Sequence, residues 1–273
     1  MTPESLWSKG SNFNAKKAKE MVEFIEQRSN YIDQKKVNLA LKNMVRPKSG
    51  ENLLDVGCGS GILTRLMAPY LTPEGSIIGV DTSPYIVELA RGYANNCSSS
   101  SLINFEVGDA TDLHYSDGIF DAAFAARLLL HVDNPQAVVG EMIRVVKSGG
   151  RIVLMDWDFE TLVIDHPNRE LTRRIFHWRT DNKDGNNWSG RQLYRLLKEQ
   201  EIKEVVIEPI NTISIDENNS LTHSIYHAAS GALDEGVITP HEYTEWVTEL
   251  KTRLHTGLFF ASIVYFIAKG NKP

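Results

Sequence analysis

Residues 52–61, Asn-Leu-Leu-Asp-Val-Gly-Cys-Gly-Ser-Gly, put an apolar run, a carboxylate and three alternating glycines side by side. A helical pattern follows at once in Ile62, Leu63, Leu66, Met67, Tyr70 and Leu71. A buried strand, a tight turn and a helix in that order open a nucleotide-binding α/β unit. Glycine serves such a turn twice. It reaches backbone angles closed to other residues, and it lets a ligand lie against bare main chain. The N–H groups at the start of the helix are then expected to face the ligand.

The spacing of the glycines narrows the choice. A dinucleotide fingerprint has the pattern G-x-G-x-x-G and cradles a pyrophosphate. Here the third glycine comes one residue early, and Ile62 stands where that fingerprint needs Gly. Asp55 lies two residues before the first glycine, where a carboxylate repels pyrophosphate and attracts a cation. The stretch resembles the first motif of the class I S-adenosylmethionine (SAM)-dependent methyltransferases, D-x-G-x-G-x-G, at Asp55, Gly57, Gly59 and Gly61. A structural glycine turn in another α/β protein is the plain alternative. Cys58, inside the turn, counts with the cofactor loop by position and is most simply a small packing residue.

The rest of the chain supplies context. Residues 1–14 are polar and irregular. Residues 15–28 and 31–45 are amphipathic and expected to be helical, ahead of Pro47 and Gly50. The segment Ser76 to Asp81 is a second apolar strand ending in a carboxylate, with Thr82 beside it; Ser83-Pro84 then starts a helix. An ionised carboxylate there can accept from both hydroxyls of a ribose. A third strand is expected from Ile103 to Asp109, followed by Ala110, and a fourth over Phe120 to Ala126, followed by Arg127 and then His131. Asn134-Pro135 caps a helix expected to reach Lys147 and stop at Gly149-Gly150. Strand five is expected over Arg151 to Asp156, with Trp157-Asp158 as its exit. Beyond it, 158–187 breaks the alternation. Ser189 to Gln192 looks like a capping box opening a helix to about Glu199. Strand six is expected over 204–210, helices over 216–234 and 240–255, and a last buried strand over Phe259 to Ala268.

Strands alternating with helices predict an α/β fold with a parallel, doubly wound sheet that binds its ligand at the strands' carboxyl ends. The resemblance adds a Rossmann-like sheet of seven strands, mostly parallel with the last antiparallel, plus helical lid insertions. It carries strong motifs over about 36–160, and follows only the order of elements over 188–270. The nearest general pattern is the ubiquinone/menaquinone-biosynthesis-type methyltransferases and their small-molecule relatives. One domain, 1–273, is expected. Within it 1–35 would cap the site, 36–157 would bind SAM, 158–187 and 211–256 would shape the acceptor site, and 188–210 with 257–273 would complete the core.

The site residues follow from the resemblance. Asp55, Gly57, Cys58, Gly59, Asp81, Thr82, Asp109, Ala110 and Arg127 are the expected cofactor set. Asp109 would lie near the adenine amino group, and Arg127 would bind the methionyl part of SAM or orient the acceptor. Sulfonium is already activated, so a general base is needed only if the acceptor must lose a proton early. His131, Asp156 and Asp158 are the candidates, His131 first because its ordinary pKa suits proton transfer near neutrality; a packing role for it is equally open. Tyr31, Trp157 and Trp178 are candidate walls of an acceptor pocket, although tryptophans are more often core.

Composition excludes little and agrees. The formal net charge of −6 argues against a dedicated nucleic-acid binder. Two cysteines, Cys58 and Cys97, make neither a disulfide framework nor a metal cluster. No signal peptide is visible, and the apolar run from Leu258 to Ala268 is too short to span a bilayer, so a cytoplasmic enzyme is expected. The Asn/Asp-Pro-Pro-aromatic signature of nucleobase-amine methylation is replaced by Ala126-Arg127-Leu128-Leu129. The clustered acids and Asn of metal-dependent catechol methylation are also missing. The expected partner is a small-molecule acceptor. A non-catalytic SAM or nucleotide binder and, less favoured because of Ile62, a nucleotide-linked oxidoreductase are the other readings.

Overall fold

A computed structural model describes residues 14–181 and 185–273. The expectations for 1–13 and 182–184 lie outside them. Two helices, α1 (Ala15–Ser29) and α2 (Ile32–Val45), precede β1 (Asn52–Val56) and α3 (Ile62–Met67). The chain continues through β2 (Ser76–Asp81), α4 (Pro84–Ala94), β3 (Ile103–Val107), β4 (Phe120–Ala126), α5 (Pro135–Val145) and β5 (Val146–Ile164). Then come α6 (Arg169–Asp181), α7 (Leu193–Glu199), β6 (Lys203–Ser214), α8 (Ser220–Asp234), α9 (Pro240–Thr256) and β7 (Ala261–Asn271).

The seven strands form one sheet in the order β3-β2-β1-β4-β5-β7-β6. The first five pair with one another in parallel, and β7 runs antiparallel to both β5 and β6. This is the expected doubly wound sheet. Successive residues of a strand face opposite layers. Leu53, Phe124, Val153, Met155 and Trp157 join the layer that contains α2, α6 and α8. Leu54, Ala123, Ile152 and Leu154 join the layer built on α5 and α7. Helix starts follow their local chemistry. Ser83 and Asn134 accept from the N–H groups of Ile86 and Ala137, and Thr239 and Glu242 form the expected capping box.

Four expectations need correction. Strand five does not exit at Trp157-Asp158: β5 runs on to Ile164, because Asp158, Val163 and Ile164 pair with Val264, Ser262 and Ala261 of β7. The preceding helix ends at Val145, and Gly149 and Gly150 lie inside β5 rather than terminating that helix. Ser189 forms no capping box: residues 189–192 make a 3-10 turn without a side-chain cap, and α7 starts at Leu193. β6 extends to Ser214, which delays the next helix to Ser220.

Candidate active site

The glycine turn joins β1 to α3 at the carboxyl end of the sheet. Gly57, Gly59 and Gly61 have φ of +71°, +54° and +77°, where side chains are strained. Packing adds a second demand at two of them. A Cβ on Gly57 would lie 2.7 Å from the Leu128 side chain, and one on Gly61 would collide with the Phe105 ring. The backbone N–H groups of the turn are largely engaged inside the protein. Gly57 and Cys58 donate to Val80 O, Gly61 donates to Cys58 O, and Gly59 donates to an Asp81 carboxylate oxygen at 3.1 Å. The turn therefore offers a ligand bare backbone surface more than the row of donors expected from sequence. The Ser60 hydroxyl is buried there with no hydrogen-bond partner.

Asp81 closes β2 and is buried. Its two oxygens accept from Gly59 N and Ser83 N, each at 3.1 Å, which fixes the carboxylate plane beside the turn. Burial raises its pKa, and those backbone N–H bonds oppose the rise. Asp55 is also buried and accepts from the Thr64 hydroxyl at 2.6 Å. Burial pushes its pKa up to about 7, against the pull of Thr64 and Arg127. Thr82 is exposed next to Asp81. Cys58 packs with Val87 and Phe105, as a small core residue would. Asp109 lies just past β3 and is exposed, accepting from the N–H and hydroxyl of Thr111 at 2.8 and 2.7 Å, while Ala110 is buried in the sheet's second layer.

Arg127 leaves β4 with φ +57°, held by its N–H bond to Met155 O. Its guanidinium stands near Asp55 and Asp156, with both terminal nitrogens 3.4 Å from Asn38 Oδ1. Burial, then the charge of Arg28, pulls its pKa down to about 10. Asp156 is fully buried; neither oxygen makes a hydrogen bond within 3.5 Å, and burial raises its pKa to about 7. Asp55, Arg127 and Asp156 thus form one electrostatic group, at the ends of β1 and β4 and within β5.

Two of the three candidate bases, His131 and Asp158, sit in unhelpful surroundings. Burial, with the charges of Arg28 and Arg179, drives His131 down to about 3, so its imidazole is a weak proton acceptor. Asp158 is buried, and Arg191 grips both its oxygens at 2.5 and 2.8 Å. Trp157 points to the other face of β5. It packs edge-on against Phe159 and Tyr265, and its indole N–H has no partner. Trp178 packs over Gly231 between α6 and α8, at a position where any Cβ would be 2.5 Å from its ring. Tyr31 opens α2, and its hydroxyl meets His223 Nε2 of α8 at 2.9 Å.

That pair lines a cleft of about 440 Å³ between α1 and α8, shared with Phe24, Arg28, Tyr226 and Tyr243. Arg28, Asn38, Thr64, Arg191 and His223 are contributors that sequence reasoning missed. Each lies within or beside an amphipathic stretch, and no local motif marks it. Among the described residues, no group of three or more His, Cys, Asp or Glu is placed to hold a metal, and no helix is long and apolar enough to cross a membrane.

Comparison with known proteins places this geometry. A family model described as a methyltransferase domain matches residues 47–208, more than half of the 273. An uncharacterized 37.1 kDa protein of a Streptomyces fradiae transposon is 30% identical over 221 residues, covering 81% of this chain and 62% of that protein. The 2-phytyl-1,4-naphtoquinone methyltransferase of Synechococcus elongatus is 36% identical over 109 residues, covering 40% of this chain and 47% of that protein. The chain thus spans less than two thirds of either relative. Among solved structures, Haemonchus contortus phosphoethanolamine N-methyltransferase 2 in complex with S-adenosyl-L-methionine superposes with a TM-score of 0.58 at 15% identity. It covers all of this chain and 60% of that one. On its glycine turn, its strand order and the matched stretch, the chain belongs to the methyltransferase domain family.

Proposed function

We propose that this protein binds SAM on the glycine turn and transfers its methyl group to a small organic acceptor beneath α1, α8 and α9. The carrying observation is Asp81, a buried carboxylate fixed at the end of β2 by two backbone N–H groups, beside a turn of three left-handed glycines. The residues present fit the cofactor. Each Asp81 oxygen keeps a lone pair for a ribose hydroxyl, the bare turn admits a flat ligand, and the buried Ser60 hydroxyl awaits a polar partner. SAM supplies a methyl group already activated on a sulfonium. Asp81 would hold the ribose, Asp109 and Ala110 the adenine, and Asp55 with Arg127 the methionyl end, with Gly57, Cys58, Gly59 and Thr82 flanking. Tyr31 and Trp157 would wall the acceptor, and helices α1, α8 and α9 would exclude water. Positioning, rather than a protein base, supplies the rate, because neither His131 nor Asp158 is arranged to accept a proton.

Calorimetry on the whole protein tests this. SAM and its demethylated product S-adenosylhomocysteine (SAH) should bind and NAD should not. Asp81→Ala should weaken SAH by about 10- to 100-fold, since hydrogen bonds to a charged group contribute ~1.5–3 kcal/mol. Tight NAD binding without SAM binding would sink the reading.

A further inference from the structure

Arg28, near the end of α1, is a half-buried guanidinium to which the described residues give no counter-charge. Its side chain makes no ion pair or hydrogen bond with any described residue; it lies over the rings of Phe24 and Trp157, 5.6 and 5.9 Å from their centroids. The contrast with its neighbours is sharp. Arg65, Arg144 and Arg151 are also half-buried, and each grips a carboxylate, on Glu26, Glu141 and Glu51. A desolvated guanidinium with five N–H donors is costly to leave unmatched.

What Arg28 faces is the cleft between α1 and α8. Its described lining contains aromatic rings, serines and two histidines, and no aspartate or glutamate. Asp33, in the first turn of α2, is engaged by Ser220 and Gln34. The cleft is also distinct from the glycine turn, although the same helix serves both. Ile25 and Glu26 face the turn, Ile25 against Gly59 and Glu26 through Arg65 to Ser60 O, whereas Phe24, Gln27 and Arg28 line the cleft. At about 440 Å³ it falls within the range of small-molecule sites.

We propose that this cleft is the acceptor site and that it selects a planar ring carrying an anionic group. Arg28 holds the anion, and the rings of Phe24, Tyr31, Tyr226 and Tyr243 enclose the plane. A cationic amine would meet the Arg28 guanidinium there, with no aspartate or glutamate in the described lining to receive it. This deepens the methyltransferase reading and rests on it.

The test is calorimetry with three probes of similar shape and different charge: hydroxynaphthoate, naphthol and naphthylmethylamine. Each is titrated into the whole protein with and without SAH. The naphthoate should bind at least about tenfold more tightly than naphthol, and the amine more weakly still. Arg28→Gln should weaken the naphthoate by about 10- to 100-fold, to the level of naphthol, with SAH affinity and melting temperature unchanged. Arg28→Lys, which keeps the charge without the fork, should fall between. Equal affinity for the three probes, or none for the naphthoate, overturns the proposal. So does an Arg28→Gln variant that loses SAH and keeps the naphthoate, which would assign the guanidinium to the cofactor. Failure of SAH to bind the unmodified protein would strike the broader reading instead, and it appears in a separate titration.

Discussion

His131 shows how far burial can move a residue from the role its type suggests. Its position just past β4 marks it as a base in sequence, and there the ordinary imidazole pKa is the whole argument. In the fold, burial beside Arg28 and Arg179 holds it near 3, neutral throughout the working range and weakly basic. His131→Gln should therefore keep turnover within a few-fold, where loss of a true general base typically costs ~10²–10⁴. Its rate profile should show no inflection near the ordinary imidazole pKa that the unmodified protein lacks. A loss of that larger order at constant SAM affinity and melting temperature would restore His131 as the base. Asp158 fails for another reason. Asp158→Asn should lower stability by ~1–3 kcal/mol, measured by denaturant unfolding, because it discards a charged hydrogen-bonded pair. Turnover of the folded fraction should be unaffected.

At the scale of elements, α1 is the part that the proposed chemistry would need to move. Ala18, Met21 and Val22 pack on Ile86 of α4, and Glu26 anchors the helix to Arg65 with bonds of 2.8 and 2.9 Å. Glu26→Gln should speed hydrogen exchange across residues 15–29 and weaken SAH binding by a few-fold. Exchange unchanged in both free and SAH-bound protein would make α1 plain scaffold. The sequence showed this helix and the first four strands well, because their apolar periods and caps are local signals. It misplaced the end of β5 for a physical reason. Carboxylates at 156 and 158 look like a strand's exit to solvent, and only the tertiary fold reveals that Arg191 neutralises Asp158 and that β7 supplies the pairing. The proposed cofactor side of the site was legible in Asp55, the glycines and Asp81, which lie in one motif and at one strand end. On the proposed acceptor side, Tyr31 was legible and its companions were not. Arg28 and Tyr31 lie at the junction of α1 and α2, but His223 comes from α8, far along the chain, and nothing local marks their meeting.

Across the whole molecule, the buried charges of the site set a pH dependence that the formal net charge of −6 does not foretell. Burial raises Asp55 and Asp156 to pKa values of about 7 in the folded chain, above the ordinary value of 3.8. Between those limits the folded state binds more protons than the unfolded state, so each carboxyl makes stability fall as pH rises. His131 acts with the opposite sign. Its folded pKa of about 3 lies below the ordinary value of 6.5, so the unfolded state binds the extra proton and stability rises with pH over that interval. In the intact protein these slopes oppose one another, and only substitution separates them. Asp156→Asn removes a falling contribution while keeping size and shape. Its stability relative to the unmodified protein should grow steadily from about pH 4.5 to about pH 7.5. His131→Gln removes a rising contribution, so its relative stability should decline from about pH 4 to about pH 6.5. Thermal melts of the three proteins at matched ionic strength, without ligand, decide the matter. Parallel curves would mean that Asp156 and His131 titrate alike in folded and unfolded chains, and that the group around Arg127 is more open to water than its packing shows.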